Sequence, residues 1–246
     1  MKIVSWNCNM AFRKKHAEIL EYKPDLLIII ECEEKEKLIA ELKDIDFKEI
    51  LWYGDNPHKG IALIRFGDFK IKLHKSYNPE FRYVLPFVLE ADRKVNLFVI
   101  WAMPHESIRQ RSYVGQIWAA VHHYEKLLKK DSLLIGDFNS NTIWDHTRKN
   151  GHHKDLVDFL AAKDIHSLYH KKYGEAHGGE SLPTQFLYRH QDRPYHLDYC
   201  FASKSFIGKR TDIEIGKYDD WIGLSDHMPI SVSNLEIGNW EEKRDA

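Results

Sequence analysis

The sequence predicts an α/β (α+β) fold in which helices and mixed β-sheets form a layered sandwich. Short apolar runs rich in β-branched and aromatic residues mark about ten strands. Apolar residues spaced three or four apart mark about four helices. Helices and strands alternate at the start of the chain, whereas the middle strands follow one another closely. That crowding indicates antiparallel pairing, so a layered sandwich fits better than a doubly wound parallel sheet.

The elements follow from these patterns in chain order. We expect strands near residues 2–7, 25–31, 47–53, 60–66, 69–75, 83–90, 95–102, 132–137, 195–202 and 229–234. We expect helices over residues 12–22, 33–43, 108–130 and 152–163. The third helix is the clearest, because Val114, Ile117 and Val121 recur at helical spacing. The segment from Lys171 to Pro194 contains Gly, His and Pro, and long loops of this kind often line a site.

The composition favours one globular domain spanning residues 1–246. Hydrophobic residues make up 43% of the 246, which supports a sizeable core. The 36 basic and 37 acidic residues nearly cancel, so a strongly basic nucleic-acid binder is not indicated, although a local patch is compatible with this balance.

The start of the chain and its cysteines bear on where the protein works. A strand begins almost at once, without an apolar stretch of signal-peptide length, and the most apolar run, Leu26 to Ile30, is too short to span a membrane. The odd number and wide spacing of Cys8, Cys32 and Cys200 indicate reduced thiols. We therefore expect a cytoplasmic protein without a membrane partner.

Polar residues follow an apolar strand in the stretch LLIGDFNSN, residues 133–141. Side chains two apart on a strand point the same way, so Asp137 and Asn139 share a side if strand geometry persists through them. The alternative is a simple turn, because Gly, Asp, Asn and Ser all favour turns. Asn141 ends the same stretch and is a candidate substrate contact.

Two strands near the start of the chain end in the same way. The first strand ends in Asn7 and Asn9, again two residues apart, and the apolar run Leu26 to Ile30 leads into Glu31. A lone Glu at a strand end is most often solvated. However, the first polar residue after a strand buried on both faces tends to lie at a sheet end, where clefts form.

Two further acids occur late in the chain. Asp198 lies in an alternating segment, where it shares a face with His196, and its alternative reading is a residue that faces water. Asp226 and His227 precede a strand, and their alternative reading is a turn before Pro229. Any single Asp–His neighbour is weak evidence, because the chain has 15 histidines.

The polar residues at these strand ends are more informative together than any one of them is alone. Together these residues offer carboxylate oxygens for a hard divalent cation, an imidazole and amide donors, and magnesium prefers one or two carboxylates with water and substrate phosphate oxygens. The sequence lacks Cys/His spacing of the zinc-finger type and glycine-rich phosphate loops. The residues are Asn7, Glu31, Asp137, Asn139, Asp198, Asp226 and His227.

The order of these motifs resembles that of the endonuclease/exonuclease/phosphatase superfamily, the fold of exonuclease III, the apurinic endonucleases and deoxyribonuclease I. The resemblance covers nearly the whole chain and rests on Ser5-Trp6-Asn7-Cys8-Asn9, Glu31, Gly136-Asp137-Phe138-Asn139, Leu197-Asp198-Tyr199 and Ser225-Asp226-His227. It implies a four-layered α/β sandwich with two packed mixed β-sheets. It also implies a phosphoesterase that uses Mg²⁺, with Mn²⁺ as an alternative ion.

The resemblance also implies roles for the residues. Glu31 is expected to be the principal metal ligand, with Asn7 and Asp226 near the ion. Asp137 is expected to orient or deprotonate the attacking water, and we favour it over His227 as the base.

The remaining implied roles concern the phosphate. Asn139 is expected to hold the water or a phosphate oxygen. His227 is expected to contact the scissile phosphate, while Asp198 fixes its tautomer. Such roles suit phosphodiester hydrolysis, because a dication and a protonated imidazole both stabilise the charge that develops on the phosphoryl oxygens.

Two positions depart from the family pattern. Many nucleases of the family have Asp where this chain has Asn9, which weakens a two-metal scheme. Ala102 falls where the apurinic enzymes have Tyr, so the phosphate contact from this loop is vacant or is made by His105 or Trp101.

Three hypotheses for the substrate stay open. The first is a nuclease acting on DNA or RNA as a monomer, with aromatic residues stacking on bases and cations meeting phosphates; each of these residues is individually more typical of core or ordinary surface. The second is a hydrolase of small or lipid-headgroup phosphoesters, which the neutral charge favours. The third is an inactive binding module, which the complete set of site residues argues against. The stacking candidates are Trp144, Tyr188, Tyr195 and Trp221, the cations are Lys59, Arg109 and Arg111, and further substrate contacts are Asn9, His105, Asn141 and His196.

Overall fold

The computed structural model describes residues 1–105, 107–147, 151–208 and 210–237. The strands in these ranges are β1 (Ile3–Asn7), β2 (Leu26–Cys32), β3 (Glu49–Asn56), β4 (Lys59–Arg65), β5 (Lys70–Leu73), β6 (Val84–Glu90), β7 (Lys94–Trp101), β8 (Ser132–Asp137), β9 (Ile165–Ser167), β10 (Gln185–Phe186), β11 (Pro194–Tyr195), β12 (Asp198–Ser203), β13 (Asp212–Ile215) and β14 (Ile230–Ser233). The α-helices are α1 (His16–Leu20), α2 (Lys35–Glu41), α3 (Val114–His123), α4 (His153–Ala161), α5 (Leu168–Tyr173) and α6 (Tyr218–Trp221).

Two six-stranded sheets carry the fold. The first has the strand order β13-β14-β1-β2-β4-β3, and the second has the order β5-β6-β7-β8-β12-β9. Each sheet pairs two of its strands in parallel, β1 with β2 and β7 with β8, beside antiparallel neighbours. Both sheets are therefore mixed, as the crowded middle strands predicted. The short strands β10 and β11 form a separate ribbon.

Three apolar cores separate four layers. The central core joins residues of both sheets, including Ile28 of β2 and Leu97 of β7. One outer core packs α3 and α4 against the second sheet, for example through Ile117. The other packs α1 and α2 against the first sheet, for example through Leu38. This arrangement confirms the four-layered α/β sandwich with two packed mixed sheets.

The burial of β2 explains why its first polar side chain lies at the edge of the sheet. All five aliphatic residues from Leu26 to Ile30 are fully buried, because apolar cores cover both faces of this strand. The first side chain along this strand that is exposed to solvent is that of Glu31.

The three cysteines are also buried, and they form no disulfide within the described ranges. No helix in the described part of the chain is long and apolar enough to cross a membrane.

The elements near the third expected helix differ from the sequence prediction. The α-helix spans only Val114–His123, and short 3₁₀ turns at Arg109–Arg111 and Glu125–Leu127 replace its ends. Tyr113 interrupts the helical path, because it holds a left-handed φ of 53°. Apolar spacing continues past this helix through Tyr124 and Leu128, so the pattern alone could not mark where the helix ends.

Candidate active site

Strand ends from both sheets meet at one place. Asn7 ends β1 and lies beside Ile30 of the parallel strand β2, so Glu31 follows at the same edge. Asp137 ends β8 in the second sheet, where its antiparallel partner is Asp198 at the start of β12. The Asn7 amide donates to Asp137 Oδ2 over 3.1 Å and joins the two edges.

Gly136 allows β8 to reach this position. Its φ is +136°, and a Cβ atom there would lie 2.1 Å from the carbonyl oxygen of Ile100 on the neighbouring strand. Only glycine fits such a close approach of two backbones. The glycine before Asp137 is therefore required by packing between β7 and β8.

Asp137, Asp198 and His227 form a buried group. One donor atom of each lies within 4.8 Å of those of the other two, and none of the three residues is more than 6% exposed. His227 Nδ1 lies 2.9 Å from Asp198 Oδ2. This contact fixes the imidazole with its Nδ1–H donated to the carboxylate and leaves Nε2 for another partner.

The two carboxylates change the protonation of the imidazole. Burial opposes a charge on His227, but Asp198 and Asp137 outweigh it and raise the pKa of His227 to about 10. Burial also raises the pKa of Asp137, while His227 opposes this rise and Asp198 adds to it. At neutral pH the group therefore contains an imidazolium and a carboxylate with increased affinity for protons.

Amide donors hold the Asp137 carboxylate in place. Asn139 donates from its backbone N–H to Oδ1 over 2.9 Å and from Nδ2 to Oδ2 over 3.0 Å. Asn139 has a left-handed φ of 44°, and its Nδ2 also donates to the carbonyl oxygen of Ala102. Asp137 and Asn139 are thus in contact, but through the turn that the sequence offered as the alternative, because strand geometry ends at Asp137.

Asp226 and Asn9 connect the rim of this group to β1. Asn9 Nδ2 donates to Asp226 Oδ1 over 2.7 Å, and the Asn9 backbone N–H donates to Asn7 Oδ1 over 3.1 Å. Gln185 Nε2 lies 3.4 Å from the other oxygen of Asp226. Asn9, at the position where many family nucleases have Asp, therefore acts here as an amide donor to a carboxylate.

Glu31 lies at a bulge in β2. The register with β4 shifts between Ile30 and Cys32, and Glu31 has a left-handed φ of 63°. Its side chain is 17% exposed, and Oε2 lies 3.1 Å from Nζ of Lys59. Strained backbone of this kind concentrates at functional sites. The bulge turns the side chain of Glu31 out of the buried strand.

The donors along this edge suit a hard dication. Glu31 and Asp226 supply carboxylate oxygens, and Asn7 supplies an amide oxygen. The Glu31 carboxylate already attracts a cation, the ammonium group of Lys59. Oxygen donors of this type match the preference of magnesium or manganese.

A cavity of about 410 Å³ opens beside Asn139. The residues that line it include Tyr113, Trp144 and Leu197. The Trp144 ring lies 5.2 Å from that of Tyr195, and Trp144 is 40% exposed. Tyr113, which the sequence had not singled out, is similarly exposed. An aromatic surface therefore adjoins the carboxylate group.

Three further candidates already have hydrogen-bond partners within the protein. Asn141 lines the same cavity, but its Nδ2 donates to Glu180 and to the carbonyl oxygen of His196. His196 is buried, and its Nδ1 bonds the carbonyl oxygen of Leu182. His105 accepts backbone N–H groups of its own loop at Nδ1.

The remaining aromatic and basic candidates divide between core and surface. Trp221 is a core residue that packs against Trp6, so the core alternative was right for it. Tyr188 is 73% exposed. Trp101 is buried beneath Lys59, and Arg111 pairs with Glu80.

Two supporting hydroxyls were not predicted. Thr184 Oγ1 accepts the backbone N–H groups of Leu197 and Asp198, over 2.8 and 2.9 Å. Ser225 Oγ donates to the carbonyl oxygen of Asn7 and accepts the N–H of His227. Thr184 lies in the long loop that the sequence marked, but nothing in its neighbours distinguished it. Ser225 belongs to the Ser-Asp-His motif itself.

Comparisons with solved structures support the same fold. A 3'-5' exonuclease (NExo) from Neisseria meningitidis is 16% identical, with a TM-score of 0.69 over 95% of this chain and 99% of that chain. An AP endonuclease from Archaeoglobus fulgidus is also 16% identical, with a TM-score of 0.69 over 96% and 99%. D. rerio TDP2 complexed with single strand DNA product is 14% identical, with a TM-score of 0.62 over 94% and 97%.

Comparison with curated proteins gives no match. The model of one family, however, matches residues 4–227, a range that holds all the strand-end motifs. The chain belongs to the Endonuclease/Exonuclease/phosphatase family.

Proposed function

We propose that this protein is a magnesium-dependent nuclease that hydrolyses phosphodiester bonds of DNA or RNA. Membership of the family makes it a phosphoesterase, and the proposal concerns its metal, its residues and its substrate. The observation that carries the proposal is the convergence of Asp137, Asp198 and His227 at strand ends that adjoin Asn7 of the other sheet.

His227 stabilises the phosphoryl oxygens. Asp198 holds its Nδ1–H, so Nε2 of the imidazolium is the nitrogen that faces a substrate. Charge builds on the phosphoryl oxygens during in-line attack, and a fixed cationic donor favours that transition state over the ground state. Asp198 is thus a positioning residue that also keeps the imidazole protonated.

Asp137 orients and deprotonates the attacking water. Its carboxylate is held by three amide hydrogen bonds from Asn7 and Asn139, and its raised pKa suits proton uptake near neutral pH. A magnesium ion held by Glu31, with Asn7 and Asp226 beside it, would supply Lewis-acid stabilisation of the phosphate. Mn²⁺ is expected to replace it.

The aromatic surface favours a nucleic-acid substrate. Trp144 and Tyr113 line the cavity beside Asn139 as exposed rings, and such rings suit stacking on bases. Tyr195 packs against Trp144. Two of the similar structures hold DNA, namely TDP2 with a single strand DNA product and a 3' phosphatase NExo variant with a product DNA hairpin. Both observations support the proposal for this chain.

A small phosphoester is the second candidate. The cavity of about 410 Å³ suits a compact ligand, and 36 basic against 37 acidic residues give no general attraction to a polyanion. We keep this alternative because the two substrates differ in a measurable way. Nucleic-acid binding weakens steeply as salt rises, whereas turnover of a small substrate changes little.

A substrate panel tests the proposal. Supercoiled plasmid, single-stranded DNA, RNA, abasic duplex, inositol phosphates and bis-p-nitrophenyl phosphate are incubated with magnesium, manganese or a chelator. We expect metal-dependent cleavage of a nucleic acid, with a rate at low substrate that falls as salt rises. Turnover of inositol phosphates alone would select the second candidate. A complete lack of turnover with either metal would contradict both.

A further inference from the structure

A second group of potential metal ligands lies outside the proposed catalytic residues. It contains His170 of α5 with His177 and Glu180 of the long loop, and we call these three residues the His170 cluster. One donor atom of each lies within 4.8 Å of those of the other two. His170 Nε2 and Glu180 Oε1 are 3.1 Å apart, and both side chains are at most 10% exposed.

Hydrogen bonds on the far side orient two of these donors. Ser167 Oγ lies 2.7 Å from Nδ1 of His170. Glu180 Oε2 accepts the N–H of Gly178 over 3.0 Å and the Nδ2–H of Asn141 over 3.1 Å. Nε2 of His170 and Oε1 of Glu180 therefore face each other. Metal-bound imidazoles and carboxylates in proteins are held in the same manner, by hydrogen bonds to their outer atoms.

Buried nitrogens around the cluster lack hydrogen-bond partners. Within the described residues, Nδ1 of His177 and the Nε2 atoms of His153 and His196 are buried without a partner. His153 and His196 are 0% and 4% exposed. The ring of His153 lies 5.3 Å from that of His177, and the ring of His196 lies 6.2 Å from that of His170. Unsatisfied buried polar atoms are costly, and this concentration in one place requires a cause.

We propose that the His170 cluster binds one transition-metal dication of the zinc class, separate from the magnesium site. Two imidazoles and one carboxylate are ligands that zinc takes in proteins, whereas magnesium prefers oxygen ligands and water. Three protein ligands leave a fourth position for water. The buried imidazoles of His153 and His196 border the rings of this cluster.

The rings must move slightly to bind the ion. The rings of His170 and His177 are stacked, with centroids 3.5 Å apart and planes at 19°. Zinc binds imidazole nitrogen at about 2.0–2.1 Å in the ring plane, so the two rings fan apart on binding. His177 is the ring that shifts, because it lies on the loop and its side chain lacks an anchor comparable to Ser167 among the described residues.

The ion would hold the long loop against the catalytic edge. Glu180 bonds Asn141, which lies two residues beyond Asn139, and the same loop continues to Thr184 beneath Asp198. Gly178 packs so closely on Thr142 that a Cβ atom would lie 2.5 Å from Oγ1. Occupancy of this site would therefore stabilise the loop, and it can be measured without any assay of activity.

Zinc binding by the metal-free full chain tests the proposal. Zinc is titrated in competition with a chromophoric chelator, with excess magnesium present to occupy the oxygen-rich site, and cobalt is added separately to record its visible absorption. We expect one zinc per chain and the intense bands of tetrahedral cobalt. Loss of a hydrogen-bond partner of a metal ligand typically weakens metal binding about 10–100-fold. His177→Ala and Glu180→Gln remove ligands themselves, so each should weaken zinc binding by more than this.

Two matched variants keep the test specific. His166 lines the small cavity beside His170 but supplies none of the three donors, so His166→Ala should bind zinc normally. Glu31→Gln should also bind normally, because its carboxylate belongs to the other site. Zinc should raise the thermal midpoint of the wild type and not that of His177→Ala. The proposal would be overturned if the wild type bound zinc no more tightly than His177→Ala does. It would also be overturned if zinc binding were lost in His166→Ala or in Glu31→Gln.

Discussion

The side-chain amide of Asn7 donates a hydrogen bond to Asp137 Oδ2 over 3.1 Å, across a sequence separation of 130 residues. Asn7 ends a strand of the first sheet, and Asp137 ends a strand of the second. The contact therefore sets the orientation of the proposed base relative to the proposed metal ligands. Both residues are nearly inaccessible to solvent, so water does not replace this hydrogen bond when it is lost.

We expect Asn7→Ala to lower kcat about 10–150-fold, because a buried hydrogen bond to a charged group contributes about 1.5–3 kcal/mol. KM should change less, since the misplaced group acts in the transition state. Steady-state kinetics on the cleaved nucleic acid measure both values. Asn96→Ala is the control, because it removes one amide hydrogen bond, to Leu127, at the far end of β7. Equal loss of kcat in both variants would contradict the role of Asn7.

Glu31→Gln should raise the magnesium concentration needed for half-maximal activity and lower the activity at saturation. The variant keeps the size of the side chain but removes the charge at the bulge, where a hard dication requires a carboxylate. A magnesium titration of cleavage measures the effect. Glu34→Gln, three residues further along the chain, is the control. Unchanged magnesium dependence in Glu31→Gln would remove Glu31 from the metal site.

Lys59→Ala should lower the magnesium concentration for half-maximal binding. The Lys59 ammonium lies 3.1 Å from Glu31 Oε2 and competes with a cation for that carboxylate. Binding is measured by calorimetry in the absence of substrate, so that any contact of Lys59 with phosphate does not enter. Weaker magnesium binding in this variant would show that Lys59 supports the site instead of competing for it. Lys37→Ala, which breaks an exposed pair with Glu34, is the control.

The sequence predicted the strand-end residues because their signal is local. Each acid or amide follows a run of buried residues, and burial on both faces places such strands in the middle of a sheet. The order of the motifs then indicated the family and with it the four layers. Asn7, Asp137, Asp198 and His227 meet as the sequence predicted.

The remaining features depend on contacts between distant segments. The pairing of Lys59 with Glu31 requires the register of β2 against β4, and the His170 cluster requires a loop folded back onto α5. Tyr113 lines the cavity because its backbone has a positive φ of 53°, which a bulky residue rarely adopts, so its sequence did not indicate this position. Alternation placed His196 on the face of Asp198, but the strand begins only at Asp198, so His196 turns into the cluster of histidines.

The imidazole of His227 should stay protonated well above neutral pH, because Asp198 and Asp137 raise its pKa to about 10 against the effect of burial. A raised pKa means that the cationic form is fully present at low pH and is lost only as the pH rises through that value. Asp198→Asn should lower the pKa of His227 by about 1–3 units. NMR titration of the imidazole measures both values, and the alkaline limb of kcat should move in the same direction. A pKa of His227 that is unchanged in Asp198→Asn would contradict the coupling.

Trp144→Ala should weaken binding of single-stranded DNA about 5–150-fold, because stacking of one base on an aromatic ring contributes about 1–3 kcal/mol. Turnover of bis-p-nitrophenyl phosphate should fall less than DNA binding, since that substrate lacks the successive bases that would stack on the pair formed by Trp144 and Tyr195. The slope of binding affinity against salt should also be unchanged, because the variant removes no phosphate contact. Tyr173→Ala removes a similarly exposed ring on α5 and is the control. Two outcomes would show that the aromatic surface beside Asn139 does not select nucleic acid. One is an equal loss of DNA affinity in Trp144→Ala and Tyr173→Ala. The other is a loss of bis-p-nitrophenyl phosphate turnover in Trp144→Ala as large as its loss of DNA affinity.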